Sequence, residues 1–103
     1  MRYVTMNRFS VKPDETGAFE ALWLGRETFL HEVPGFVEFQ LLRGPKKEDH
    51  VLYASHTVWE SEAAFLAWTR SDAFRKAHAG AGEAKPIYNG APVLETFEVL
   101  QTV

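Results

Sequence analysis

The chain has 103 residues, 46% hydrophobic and 24% charged, with a net charge of −3 and no cysteine. This balance suits one soluble domain spanning 1–103, excludes disordered, collagen-like and disulfide-scaffold classes, and leaves no thiolate nucleophile or cysteine-ligated metal centre. The lysines and arginines are scattered and no apolar run approaches the ~20 residues that span a bilayer, so neither nucleic acid nor membrane is an expected partner. The opening MRYVTMNRFSV lacks a signal peptide's apolar core, which predicts a cytoplasmic protein.

Tyr3 to Val11 is rich in β-formers and predicts a first strand, closed by Pro13-Asp14, with Asp14 at the N-cap of a following helix. From Glu15 to Glu32 the apolar positions Phe19, Leu22, Trp23, Phe29, Leu30 and Val33 recur at three- and four-residue steps. That stripe predicts an amphipathic helix ended by Pro34-Gly35. Phe36 to Arg43 and His50 to Trp59 predict a hairpin of two strands around a charged turn, Gly44 to Asp49. Val37, Phe39 and Leu41 share one face with Phe36 and Leu42 on the other, and Leu52 and Val58 oppose Val51, Tyr53 and Trp59. Both faces of this sheet therefore require cover.

Ser61 predicts the N-cap of a helix holding Ala64, Phe65 and Trp68, and Ser71-Asp72 a fresh start toward Phe74, Ala77 and His78, stopped by Gly80 and Gly82. After a loop with Pro86, Asn89-Gly90 and Pro92, the tail Val93 to Val103 is β-type again. The order βαββαβ predicts an α+β, ferredoxin-like fold with an antiparallel sheet and its helices on one face. At this length folding buries only about 60–65% of the unfolded surface. Together with the apolar second sheet face, this predicts a homodimer whose sheets pack into a dimeric α/β barrel.

Three residues, Asn7, Arg26 and His78, stand out for chemistry. Asn7 shares the parity of Thr5 and Phe9, so its amide points at a partly apolar face, either bonded to nearby backbone or reaching into a pocket as a donor. Arg26 falls on the stripe of Leu22, Phe29 and Leu30, where a guanidinium either snorkels to solvent or meets a carboxylate on a ligand. Trp68, like Trp23, reads as core by periodicity, and Trp59 as packing at a strand end. His78 follows Phe74 by one turn near a helix C-terminus, as a structural imidazole, a neutral metal or heme ligand, or a protonated ring on the helix dipole. His31, His50 and His56 have no spacing that makes a zinc site. No phosphate-binding loop or hydrolase elbow is present.

The segments Asn7-Arg8-Phe9, Pro34-Gly35-Phe36, Thr57-Val58-Trp59-Glu60-Ser61, Phe65-Leu66-Ala67-Trp68 and Ser71-Asp72-Ala73-Phe74-Arg75-Lys76-Ala77-His78 resemble the antibiotic biosynthesis monooxygenase (ABM) superfamily. Within it they resemble the IsdG-type heme-degrading monooxygenases. The resemblance implies a heme oxygenase that cleaves the macrocycle with O2 and an external electron donor, releasing iron and a linear tetrapyrrole, heme being both substrate and cofactor. It implies His78 as proximal ligand of the heme iron, Asn7 as a hydrogen-bond donor on the distal side and Trp68 as the residue that distorts the porphyrin. With heme as ligand, helix phase makes Arg26 a propionate contact. The alternatives are a cofactor-free, quinol-type monooxygenase of the same superfamily, a non-catalytic heme carrier or sensor, and a structural barrel without ligand.

Overall fold

The computed structural model describes residues 1–26, 29–72, 74–75 and 87–103. Alternating β-branched and aromatic residues form β1, Tyr3–Val11, which buries Tyr3, Thr5, Phe9 and Val11 on one face. Pro13 then opens a 3-10 turn, Pro13–Glu15, and the first helix, α1 (Thr16–Leu24), begins only after it. Asp14 thus lies inside the turn and does not cap the helix, because proline's locked φ starts the tight turn one residue earlier.

The predicted helix through Glu32 is also shorter than its stripe. Gly25 forms the C-cap of α1, Phe29 takes a left-handed φ of 61°, and Leu30–Glu32 is a separate 3-10 turn. Apolar spacing continues past Gly25, but glycine weakens helix continuation, so periodicity overran the helix while still naming a buried residue, Leu30.

β2 (Phe36–Lys46) and β3 (Val51–Trp59) pair antiparallel, and β2 runs past the predicted turn start at Gly44. A register shift between Phe36 and Glu38 puts Phe36 on the same side as Phe39, against Trp59 at 6.1 Å, contrary to the strict alternation expected from sequence. A bulge adds one residue and so resets side-chain parity. Ser61 caps α2 (Glu62–Thr69) by accepting the Ala64 N–H at 3.2 Å, and β4 (Val93–Glu98) pairs with β1.

The strand order β2-β3-β1-β4, antiparallel throughout, is the ferredoxin-like arrangement. On the helix-facing side the core divides in two. Phe9, Val11, Phe19, Val51, Tyr53 and Ile87 pack at one end, and Tyr3, Leu30, Trp59 and Phe65 at the other. The opposite face presents Val4, Met6, Ala54 and Val58 with the exposed Leu42, Val93 and Phe97, and none of the described helices packs over it.

Candidate functional site

The division of the core follows from polar residues placed mid-strand. On the helix-facing parity β1 reads Tyr3, Thr5, Asn7, Phe9 and β3 reads Tyr53, Ser55, Thr57, Trp59, so the aromatic ends of both strands flank a polar centre. The register sets Thr5 opposite Thr57 and Asn7 opposite Ser55. Small polar side chains cannot close the space under the helices, and a pocket of about 250 Å³ opens there, floored by Thr5, Asn7, Ser55 and Thr57.

Its walls are apolar. α1 contributes Trp23, the turn after it Leu30, β2 contributes Phe39, and β4 contributes Leu94. From α2 come Phe65 and Trp68, three residues apart and so on one helix face, with Thr69 and Phe74 beside them. Trp68 is fixed by ring contacts at 5.2 Å to Trp59 and, edge-on, at 4.8 Å to Phe74. Beneath it Trp59 is fully buried, and its indole N–H donates to the Thr5 hydroxyl at 3.1 Å. Ser71 accepts the Phe74 N–H at 3.1 Å and donates to the Trp68 carbonyl at 2.6 Å, which seats Phe74 over the pocket. The predicted restart at Ser71 is thereby visible in Asp72, Phe74 and Arg75.

Arg26 supplies the pocket's positive charge among the described residues. Its guanidinium carbon lies 4.4 Å from the Trp23 ring centroid, and none of the ion pairs among the described residues involves it. Stacking on an indole holds the cation without neutralising it. A planar apolar molecule with an acidic edge matches these walls and this charge.

Three of the four residues singled out from sequence, Asn7, Arg26 and Trp68, therefore line one pocket. The fourth, His78, lies outside the described residues. Trp23, expected to be core, is a wall of the same pocket, stacked on Phe39 at 6.3 Å and 10°. Thr5, Ser55, Thr57 and Leu94 line the pocket without having stood out in the sequence, and Leu30, Phe39, Phe65 and Phe74, read there as packing residues, line it too. The signal for the first three was in the sequence, as the polar centre shared by two strands with aromatic ends.

Residues 2–80 match the sequence pattern of antibiotic biosynthesis monooxygenases. A heme oxygenase (mycobilin-producing) of Mycobacterium tuberculosis is 38% identical over 103 residues, which is 100% of this chain and 93% of that protein. A heme-degrading monooxygenase of Shouchella clausii is 37% identical over 65 residues, 63% of this chain and 60% of that protein. Among solved structures, the heme degrader MhuD from Mycobacterium tuberculosis, with two hemes bound in its active site, superposes with a TM-score of 0.74 at 35% identity, covering 98% of each chain. SnoaB, a cofactor-independent oxygenase from Streptomyces nogalater, superposes with a TM-score of 0.71 at 24% identity over 99% of this chain and 96% of its own, a likeness of fold alone.

Proposed function

The chain belongs to the antibiotic biosynthesis monooxygenase family, and from that premise we propose that it is a heme-degrading monooxygenase. The observation that carries the reading is the convergence of Asn7, Arg26 and Trp68 on one aromatic-walled pocket in a chain 38% identical, end to end, to a heme oxygenase. Heme is the substrate, and when bound it would supply the iron that activates O2, with electrons from an external donor, for cleavage of the macrocycle. The products are iron and a linear tetrapyrrole.

Each residue has a role suited to its surroundings. Trp23, Leu30, Phe39, Phe65 and Trp68 exclude water and hold the macrocycle by apolar contact. Trp68, locked between Trp59 and Phe74, would present a rigid surface to the face of the macrocycle. Asn7, on the pocket floor, would donate its side-chain N–H to negative charge developing as O2 reacts. Arg26 pairs with a propionate. By resemblance to the family, His78 would hold the heme iron. The active unit is a homodimer in the cytoplasm built from single-domain subunits, the apolar outer sheet face with Val4, Met6, Val58 and Phe97 forming the barrel interface.

An absorbance titration with hemin, followed by ascorbate in air with catalase present, tests the reading on the wild type and His78→Ala. A Soret band that needs His78 and then decays with release of iron is the expected result. A stable Soret band with a competent reductant assigns a carrier or sensor instead, and absence of specific binding overturns the heme reading.

A further inference from the structure

The pocket wall continues into the protein as a run of aromatic rings that ends on a buried tyrosine with a carboxylate in place to take its proton. Trp23, which lines the pocket, lies 5.9 Å from Phe19, and Phe19 lies 4.4 Å from Tyr53. Tyr53 is 1% exposed, and its hydroxyl donates to Glu20 Oε2. Glu20 sits one turn before Trp23 on α1, so one helix face carries both the ring at the pocket and the carboxylate that accepts from Tyr53. The same Glu20 oxygen lies 3.4 Å from Nη1 of the exposed Arg43. The pocket is thus joined to the surface by Trp23, Tyr53, Glu20 and Arg43 in order.

We propose that Trp23 and Tyr53 form an internal electron-transfer route that carries oxidising equivalents out of the pocket, with Glu20 as the proton acceptor for Tyr53. Indole and phenol are the side chains most readily oxidised by one electron in a chain without cysteine. A one-electron oxidant formed from heme and peroxide in the pocket takes an electron from Trp23. The resulting indole radical cation takes an electron from Tyr53, and the phenolic proton moves along the existing hydrogen bond to Glu20. The net change is tyrosine plus carboxylate to neutral tyrosyl radical plus carboxylic acid, the oxidant being reduced by one electron. Burial and Glu20 push the Tyr53 phenol above its ordinary range, so it keeps its proton until it is oxidised. Neither other tyrosine has this arrangement. Tyr3 meets Glu62 only at 3.5 Å, and the Tyr88 hydroxyl has no hydrogen-bond partner among the described residues.

The route acts on oxidant that escapes productive attack on the macrocycle, and it rests on the heme reading above. The test adds one equivalent of hydrogen peroxide to the ferric-heme complex, freezes it, and records electron paramagnetic resonance with and without ring-deuterated tyrosine. The expected result is a tyrosyl signal that persists in Tyr3→Phe and Tyr88→Phe, is abolished in Tyr53→Phe, and falls severalfold in Glu20→Gln, which keeps a hydrogen-bonding group but is no base. Trp23→Phe lowers the yield as well. A signal unchanged by Tyr53→Phe, or lost with either other tyrosine, overturns the proposal. So does the absence of any protein radical in a wild type whose Soret band shows bound heme, an outcome that leaves the heme reading standing. Failure to bind heme refutes the heme reading itself, and the route with it.

Discussion

Gly35→Ala is expected to destabilise the protein strongly and to loosen the pocket with it. Gly35 has φ +84°, and a Cβ built on it overlaps the Ala64 Cβ of α2. The left-handed backbone alone costs a residue with a side chain about 1–2 kcal/mol, and forcing a methyl group into packed structure costs about 1–3 kcal/mol more. The sum is about 2–5 kcal/mol. The only relief is movement of α2, which carries Phe65 and Trp68, or of the Gly35 carbonyl that accepts the Glu60 N–H at 2.8 Å. Urea denaturation reads this as a lowered midpoint with the slope unchanged. Gly17→Ala is the matched control, because Gly17 lies within α1 and a Cβ there meets nothing within 4 Å. It is expected to stabilise by about 0.5–1 kcal/mol through helix propensity. A loss of under about 1 kcal/mol for Gly35→Ala, below the cost of the backbone conformation alone, refutes the packing argument, as does a loss of equal size at Gly17.

Arg26→Ala is expected to weaken hemin binding roughly tenfold, about 1.4 kcal/mol, the scale of one charge-assisted hydrogen bond. Unchanged affinity in the absorbance titration removes Arg26 from the site. Thr5→Val leaves the buried Trp59 N–H without its acceptor and is expected to cost about 1–3 kcal/mol by urea denaturation. The Tyr53 phenol is raised in the folded state, so its contribution to stability is complete below the unfolded tyrosine range near pH 10 and declines as pH rises through the folded value. Tyr53→Phe is therefore expected to flatten the alkaline limb of the stability–pH curve, and an identical limb in both proteins refutes that assignment.

The strands were legible in the sequence because their determinants are local. β-Branched and aromatic alternation set Tyr3–Val11 as predicted, and Ser61 marked the start of α2 through a hydroxyl that bonds three residues on. Asn7 was conspicuous for the same reason, as an amide on an otherwise partly apolar parity. Trp68 was not, since periodicity assigns every large aromatic on a helix face to the core; Trp68 and Trp23 do pack against the two core clusters, and periodicity gave no sign that the same rings also wall a pocket. Whether such a ring closes a core or walls a pocket depends on what lies opposite. Here that is the polar centre made when Thr5 and Asn7 of β1 come into register with Thr57 and Ser55 of β3.

Sequence by itself thus determined the element order βαββαβ and the ferredoxin-like class, because propensity, capping and side-chain parity act over a few neighbours. Only the tertiary structure decided that a bulge turns Phe36 inward and that Trp23, Arg26 and Trp68 face one cavity. Those outcomes rest on pairings between residues tens of positions apart, where strand register and helix docking set which side chains meet, and one chain's local pattern carries no record of them.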